Sequence, residues 1–351
     1  MLAAQTKEVA IESTSRAVRN SFLWQRIVEP VEPFLKQVAE RLEEQVQTFH
    51  PDLREYARYA LTNQGKQLRP ALVALAGRSF SGLNDDHVNA AVIIEMVHLA
   101  TLVHDDVMDE ASVRRNQPTL ASRWSNELAV LLGDCLFAHS LELAASFETP
   151  EVCRVVSGAT KRVCSGEILQ TQSRLQFDLK KDDYFQMLAM KTGELFGLSC
   201  DLGAYMSGIK GDKRNALREY GLALGTAYQL YDDCLDLFGT EEQAGKSLGT
   251  DLAKGKLTLP IILSLERASA TDRRQLERLL LNWNPSQFPK LIQLMEAYEG
   301  LSGTQEFLRQ HLVQARAHLE FVSVDGSLDH LERLLDYLAQ QTASLGVTSP
   351  D

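Results

Sequence analysis

Cysteine is scarce in this sequence of 351 residues, which contains five. Their number is odd, and no CxxC pair or zinc-finger spacing occurs, so we expect neither a disulfide scaffold nor a structural zinc site. Reduced thiols are typical of a reducing compartment. The N-terminal stretch MLAAQTKEVAIESTSR also lacks the apolar core of a secretory signal. We therefore expect a cytoplasmic protein. The cysteines are Cys135, Cys153, Cys164, Cys200 and Cys234.

Positive charge is also in deficit, with 36 Lys and Arg against 47 Asp and Glu and a net charge of −11. A field of this sign argues against extensive binding to nucleic acid or to an anionic membrane. Apolar runs are short, since Leu128–Leu132 ends before Asp134, whereas a membrane span needs roughly 20 residues. We expect no nucleic-acid partner and no stable membrane insertion. Any anionic substrate must be bound by a local cluster of cations.

Proline is absent between Pro150 and Pro260. Apolar residues recur there at spacings of three and four among good helix formers, which predicts consecutive long helices. The cluster Asn84-Asp85-Asp86 predicts the N-cap of a helix that reaches about Asp109. We predict one all-α domain over 21–344, a flexible segment 1–20 and a tail 345–351. The stretch His318–Val324 could form a short strand. The other predicted helices cover about 31–49, 52–64, 68–79, 119–146, 151–172, 182–207, 213–237, 257–268, 272–282, 288–298, 304–317 and 328–343.

Two acidic motifs of the form DDxxD are the sharpest feature, at 105–109 and 232–236. On a helix, residues i and i+4 share a face, so the outer carboxylates of each motif repel one another. A cation is expected to offset this repulsion, and Mg²⁺ suits carboxylates that leave room for waters and phosphate oxygens. A single such cluster is usually a solvated helix end, whereas two in one chain favour a metal site.

Each motif ends an apolar helix face, which places it at the mouth of an apolar interior. Glycines on the second of these helices would leave space beside it. The arrangement predicts a substrate with an apolar tail and an anionic head. The residues reached by helical steps are Thr101, His98, Val97 and Ile94 before Asp105, and Tyr228, Gly225, Leu224 and Gly221 before Asp232.

Cations accompany the acidic motifs. Lys66 and Arg69 open a predicted helix, where backbone N–H groups also favour anions. The pair Arg114-Arg115 follows the first motif, and the glycine-containing loop 245–256, with Lys246, Lys254 and Lys256, follows the second. A P-loop is rejected because the glycine it requires at position 240 is Thr240.

Two further residues, Lys191 and His98, each have two interpretations. Lys191 interrupts an apolar stripe and is either a snorkelling lysine or an inward-facing diphosphate ligand. His98 is either a core histidine or a ligand on the face of Asp105. We interpret His104 as structural.

The assembled motifs resemble those of the trans-isoprenyl (polyprenyl) diphosphate synthases over roughly residues 30–300. TLVHDDVMDEASVRRNQPT (101–119) and YQLYDDCLDLFGTEEQAGKSLGTDLAKGKLTLP (228–260) are similar to the two aspartate-rich motifs of that family. GKQLRP (65–70) and Lys191-Thr192 match two further signatures in the right order. The chain departs from the pattern at Gln64, Gln67 and Asn116, while the charged positions are intact.

The resemblance implies an all-α bundle around a central cavity, usually a homodimer. The implied reaction joins isopentenyl diphosphate to an allylic diphosphate, head to tail and trans, with release of pyrophosphate. By the same resemblance, Asp105, Asp109 and Asp232 would bind three Mg²⁺ ions, supported by Asp106, Asp233 and Asp236. Arg114, Lys191, Lys246 and Lys256 would hold the allylic diphosphate, Lys66, Arg69, His98 and Arg115 would hold isopentenyl diphosphate, and Tyr228, Thr192 and Gln229 would lie near the carbocation.

Two other functions share some of these features. A class I terpene cyclase needs one DDxxD motif and no second diphosphate site, and a silent subunit of a two-component synthase would be expected to have lost carboxylates.

Product length depends on the helix before Asp105. Small or flexible residues there predict an open tunnel and a product longer than farnesyl diphosphate, geranylgeranyl or a longer polyprenyl diphosphate. The predicted floors of the tunnel are Ala100, Thr101, Val97, Met96 and Ile93, while Leu136 and Phe137 could close it from another helix.

Overall fold

The computed structural model describes residues 23–62, 65–244, 248–322 and 328–346, and nearly all of them are helical. Helices α1 to α8 are Glu32–Val46, Arg54–Thr62, Leu68–Arg78, Asp85–Met108, Leu120–Arg123, Asn126–Ala145, Glu151–Gln172 and Lys181–Leu188. Helices α9 to α17 are Glu194–Met206, Gly211–Phe238, Glu241–Ala244, Thr250–Ala253, Leu259–Arg267, Ala270–Leu281, Phe288–Ala297, Gly300–Val322 and Asp329–Ala343. The 3-10 turns are Glu29–Val31, Pro51–Leu53 and Pro285–Gln287.

The prediction of an all-α protein is confirmed, and the helix that carries the first motif shows why the sequence predicts it well. The Asn84 side chain accepts a hydrogen bond from the backbone N–H of His87 at 3.2 Å, which caps the first turn of α4. The helix then runs for 24 residues and ends at Met108, so that Asp109 is its C-cap.

Three predicted elements differ from the structure. The segment 119–146 forms two helices, because the Ser125 hydroxyl accepts a hydrogen bond from the backbone N–H of Leu128 and starts α6 afresh. The segment 182–207 is interrupted by a π-helix, Ala189–Gly193, between α8 and α9. The prediction of a strand at His318–Val324 is wrong through Val322, because α16 continues and buries Leu319 and Val322 at helical spacing. The predicted segment 1–20 and the tail from 347 lie outside the described residues.

The strands in the described part of the chain are β1 (Val113–Arg114) and β2 (Gln117–Pro118), which pair antiparallel just after the first motif. The turn between them is Arg115-Asn116, with φ values of 51° and 60°. A two-residue hairpin with both φ positive favours glycine or asparagine, so Asn116 fits the position where the family resemblance leads one to expect glycine. Within this hairpin the side chains of Arg114 and Arg115 reach different neighbours, Asp106 and Gly65 respectively.

Helices α4 and α10, which carry the two motifs, run through the middle of the bundle. Helix α4 packs against α3, α6 and α9, and α10 packs against α9 and α16. The prediction that Gly221 and Gly225 leave cavity space is wrong. A Cβ at Gly221 would lie 2.5 Å from the Phe196 carbonyl oxygen, and one at Gly225 would lie 2.8 Å from the Cα of Gly193. These glycines allow α9 and α10 to cross closely.

Two helices in the described residues, α4 and α6, are long and apolar enough to cross a membrane by length and composition. The most apolar part of α4 is 72% buried within the protein, whereas that of α6 is 33% buried. The apolar run Leu128–Leu132 does end before Asp134, but α6 as a whole continues to Ala145. The expectation that apolar segments fall far short of a membrane span is therefore wrong for α4 and α6 by length and composition. The five cysteines are unpaired, as expected.

Candidate active site

A cavity of about 970 Å³ lies between the ends of α3, α4, α7, α9 and α10. Small-molecule sites range over roughly 300–1,000 Å³, so this one is large. One part of its wall is charged, and the other is apolar and includes Leu102, Phe137 and Val163. Most of the predicted site residues line it: Lys66, Arg69, His98, Thr101, Asp105, Arg114, Arg115, Lys191, Thr192, Tyr228, Gln229, Asp232, Asp233 and Lys256. Lys246 lies outside the described residues.

Most of the predicted product-length residues do not line the cavity, which corrects that part of the sequence analysis. Thr101 does, because it lies one turn before Asp105 on the same face. At five, eight, nine and twelve positions before Asp105 the side chains do not line the cavity and are buried in the core. Those residues are Ala100, Val97, Met96 and Ile93.

In the first motif, Asp106 is tied to the hairpin. The Arg114 Nε donates to Asp106 Oδ1 at 2.7 Å. Burial raises the pKa of Asp106, and Arg114 opposes the shift. Asp106 therefore anchors Arg114 beside the cavity, while its supporting role at a metal site stays a prediction.

Asp105 faces the cavity next to Lys191. The two side chains lie 4.0 Å apart, while Lys191 makes a closer ion pair with Glu167 on α7 and donates to Gln170 Oε1 at 2.9 Å. Burial raises the pKa of Asp105 to about 6. Burial acts to lower the pKa of Lys191, but the carboxylates of Asp105 and Glu167 outweigh it and hold that pKa above its ordinary value.

The π-helix explains how Lys191 reaches the cavity. Its extra residue per turn shifts the face of the helix, and π-segments are frequent at functional sites. It packs against Gly166, where a Cβ would lie 2.8 Å from the backbone nitrogen of Lys191. Lys191 is therefore an inward-facing residue, and the interpretation as a snorkelling lysine is wrong.

Asp109 lies at the rim, among three cations from other parts of the chain. Lys254 Nζ and Lys256 Nζ lie 2.9 and 3.1 Å from Asp109 Oδ2, and Arg174 Nη2 lies 3.5 Å from Asp109 Oδ1. Burial acts to raise the pKa of Asp109, but Lys256 and Lys254 outweigh it and hold that pKa below its ordinary value.

In the second motif, Asp233 and Asp236 accept hydrogen bonds from neutral donors. Asp236 accepts from the Thr250 hydroxyl at 2.8 Å and from the backbone N–H of Asp251 at 3.1 Å, so it fixes the start of α12. Asp233 accepts from the Tyr184 hydroxyl and from Gln229 Nε2, the latter at 2.9 Å. Burial raises the pKa of Asp233 to about 7.

A hydrogen-bond chain orders the wall between the two motifs. The Thr192 hydroxyl donates to Gln229 Oε1 at 2.8 Å, and the other end of the same amide donates to Asp233. The chain therefore fixes the side chains of both Thr192 and Gln229 in the cavity wall. Burial raises the pKa of the adjacent Tyr228 to about 12, so its phenol is neutral at pH 7.

A second group of cations lies at the other side of the charged wall. Arg69 stacks over the Phe196 ring at 5.1 Å, and its buried Nε has no hydrogen-bond partner among the described residues. Gly65 allows Arg115 to pack beside this group, because a Cβ there would lie 2.6 Å from Arg115 Nη2. Burial, with Arg69 and Arg115 nearby, lowers the pKa of His98 well below its ordinary value. His98 is thus a neutral hydrogen-bonding group.

His104 also lines the cavity, which corrects its assignment as purely structural. Its Nε2 lies 3.0 Å from the Val130 carbonyl oxygen on α6. Gly133 makes room for the ring, since a Cβ there would lie 2.2 Å from that Nε2. His104 therefore both joins α4 to α6 and forms part of the wall near Phe137.

The donor set fits magnesium. In the part of the chain that the structure describes, no three His, Cys, Asp or Glu side chains form a cage for an ion by themselves. Mg²⁺ does not require such a cage, because it binds through one or two carboxylates together with waters and substrate phosphates. Asp105 and Asp232 face the same cavity and supply carboxylates of this kind.

Lys254, predicted as one of the cations of the loop 245–256, contacts Asp109. Several other residues of the site were not predicted from the sequence. Glu167 and Glu95 are carboxylates that face the cavity from helices, and Arg174 contacts Asp109. Glu95 carried a detectable signal, because it is a charge within the apolar run before His98. The others carried none, since their partners lie far away in the sequence.

Comparisons with known proteins agree with this geometry. The family model described as polyprenyl synthetase matches residues 50–296. A short chain isoprenyl diphosphate synthase of Methanothermobacter thermautotrophicus is 30% identical over 86% of this chain and 94% of its own. Heptaprenyl diphosphate synthase component 2 of Geobacillus stearothermophilus is 40% identical over 67% and 74%. A crystal structure of a Caulobacter crescentus polyprenyl synthase, complexed with calcium and isoprenyl diphosphate, superposes with a TM-score of 0.84 at 30% identity and covers 90% of this chain and 97% of that one.

Proposed function

The chain belongs to the polyprenyl synthetase family, and we propose that its cavity joins isopentenyl diphosphate to an allylic prenyl diphosphate with release of pyrophosphate. The protein is a prenyltransferase. The observation that carries the proposal is that carboxylates of both motifs, Asp105 and Asp232, face one cavity with cations on two sides and an apolar wall beyond.

Two sets of cavity side chains are proposed to bind the diphosphate groups of the two substrates. In this proposal Lys191, Arg114 and Lys256 bind the allylic diphosphate, while Lys66, Arg69, His98 and Arg115 bind isopentenyl diphosphate. The observation that supports it is that all seven line the same cavity. The apolar residues around Phe196 and Tyr228 exclude water from the allylic carbon while the C–O bond breaks.

Magnesium is part of the proposal. Asp105, Asp109 and Asp232 would hold three Mg²⁺ ions, as the resemblance implies, and a solved relative complexed with calcium supports a divalent ion. When bound, Mg²⁺ neutralises charge on the departing pyrophosphate. Removal of divalent ions by chelation is expected to stop turnover, and added Mg²⁺ to restore it.

Product length is proposed to exceed that of farnesyl diphosphate. The large cavity and the small Thr101 at its wall support this. Thr101→Phe is expected to shorten the product, because the ring would fill the cavity one turn before Asp105. Ala100→Phe is the matched variant, since Ala100 is buried away from the cavity and should alter stability rather than product length.

The test of function is direct. The purified chain, supplied with isopentenyl diphosphate, farnesyl diphosphate and Mg²⁺, is expected to release pyrophosphate and form longer prenyl diphosphates, identified by chromatography after dephosphorylation. A terpene cyclase would release pyrophosphate without consuming isopentenyl diphosphate, and a silent subunit would do neither. Either result would reject the proposal.

A homodimer in the cytoplasm completes the proposal. A second copy is proposed to cover the apolar surface of α6, where Leu131 is 62% exposed. Five unpaired cysteines support a reducing compartment, and a partner over α6 would account for its apolar surface without membrane insertion. Leu131→Lys is expected to yield monomers in light scattering, whereas Val313→Lys, on the distant helix α16, should not.

One relative is named as one component of a heptaprenyl diphosphate synthase. The decisive control is therefore the activity of this chain alone.

A further inference from the structure

Asp109 has more cationic partners than one carboxylate can neutralise. Lys254 and Lys256 are within 3.1 Å of it and Arg174 is at 3.5 Å. The only other carboxylate that pairs with any of the three in the described residues is Asp251, 3.9 Å from Lys256. Within these contacts three cations share two carboxylates, in a partly buried place where the Asp109 side chain is 12% exposed. An anion that replaced Asp109 as a partner would find several N–H donors already together.

The cations are held in place by the backbone and are not merely long side chains that meet by chance. Arg174 ends the α7 region and Lys254 precedes Gly255, and the two loops are joined by a hydrogen bond from the Leu175 N–H to the Gly255 carbonyl at 2.9 Å. Both residues of this contact have positive φ, 55° and 70°, so the loop shapes are specific. Arg174 also has a buried Nε without a hydrogen-bond partner among the described residues.

We propose that Arg174 and Lys254 are two further ligands of the diphosphate group, which hold Asp109 in the ligand-free protein and exchange it for diphosphate oxygens. The inference rests on the proposed function, because it takes Asp109 as a carboxylate that a divalent cation uses. In the free protein the two cations compete with that ion for Asp109. With diphosphate present, each displaced cation gains a new anionic partner, so metal and diphosphate strengthen one another's binding.

The exchange predicts opposite signs for two affinities. Arg174→Gln and Lys254→Gln remove a competitor, so each should bind Mn²⁺ alone about threefold more tightly than wild type. Each also removes a charged ligand, so inorganic pyrophosphate in the presence of Mn²⁺ should bind about tenfold more weakly. Mn²⁺ is used because it accepts the carboxylate ligands of Mg²⁺ and is counted by electron paramagnetic resonance. Titration calorimetry measures the pyrophosphate.

Two control variants sharpen the test. Lys181→Gln removes one positive charge from a lysine that pairs with Glu266 at 2.7 Å and not with Asp109, so it should leave both affinities unchanged. Arg174→Lys keeps the charge and should bind both ligands within about twofold of wild type.

Two results would overturn the inference. Unchanged or weaker Mn²⁺ binding in both glutamine variants would show that the cations do not compete for Asp109. Tighter Mn²⁺ binding with unchanged pyrophosphate binding would show that they do not contact diphosphate. If the wild-type protein made no prenyl product while the opposite signs were observed, the proposed function would fail and this inference would stand.

Discussion

The two aspartate-rich motifs share one spacing and are held in different ways. In the first, Asp106 pairs with Arg114, and Asp109 pairs with Lys254 and Lys256. In the second, Asp233 accepts from Tyr184 and Gln229, and Asp236 accepts from Thr250 and from backbone N–H groups of α12. The described partners of Asp106 and Asp109 are cations, whereas those of Asp233 are neutral dipoles, and Asp236 likewise accepts from a hydroxyl and from backbone N–H groups.

This difference has a functional meaning. A cation bound to a carboxylate can leave it for a diphosphate, so the first motif can change partners as ligands arrive. The donors to Asp233 and Asp236 are a buried phenol, an amide and the start of a helix, which are held in position by packing, so we expect these two carboxylates to keep their partners. The helix behind the second motif is fixed as well, because α10 crosses α9 at Gly221 and Gly225.

The largest effect is expected from substitutions that remove the feature shared by both motifs, which is a carboxylate that faces the cavity. Asp105→Asn and Asp232→Asn should each lower kcat by at least about 10³-fold, because both carboxylates face the site of diphosphate departure. The helical content by circular dichroism should be unchanged. Asp134→Asn, an exposed carboxylate on α6, is the control. Near-normal turnover in either variant would show that its carboxylate is not needed for the reaction.

The next prediction concerns the fixed helix of the second motif. Gly221→Ala should destabilise the protein by about 1–3 kcal/mol, because its Cβ would lie 2.5 Å from a backbone oxygen and the helices must move apart. Gly158→Ala on α7 is the matched control, since its Cβ would be in ordinary contact at 3.6 Å and alanine favours a helix. Chemical denaturation measures both. Equal stability of the two variants would show that the crossing is loose.

The pH dependence of stability should reveal the buried acid of the second motif. The pKa of Asp233 is raised from 3.8 to about 7, so between these values the folded protein holds a proton that the unfolded chain lacks. Its contribution to stability therefore declines as pH rises through this window. Asp233→Asn cannot ionise, so the stability of the variant relative to wild type should rise by up to about 1.4 kcal/mol per pH unit. The measurement is denaturation of the chelator-treated protein. A difference that is constant with pH would contradict the raised pKa.

The smallest expected effect is a difference in salt response. Arg114→Gln should destabilise the free protein by about 1–2 kcal/mol at low salt and by less at about 1 M salt, because its partner is held by charge. Tyr184→Phe removes a neutral donor from the second motif, so its cost, also about 1–2 kcal/mol, should not depend on salt. If the stability losses of both variants depended on salt in the same way, the distinction between a carboxylate held by a cation and one held by a neutral donor would be wrong.

The sequence predicted those parts of the site that lie close together along the chain. Within one helix the period of 3.6 residues fixes which side chains share a face, so Thr101 and His98 were correctly placed with Asp105. The same period, used without regard to direction, misplaced Ala100 and Val97, which face the core. The π-helix at Lys191 was not predictable, because it depends on packing against Gly166.

By itself the sequence determined the all-α class, the helix that begins at Asn84, and the residues of the two motifs and of their cations. These follow from local propensity, capping and spacing, which act over a few residues. Only the tertiary structure decided what each carboxylate pairs with. Asp109 and Lys256, or Tyr184 and Asp233, are brought together by helix packing across long stretches of chain, and no local pattern encodes that choice. The division into an exchangeable motif and a fixed one is therefore a property of the fold.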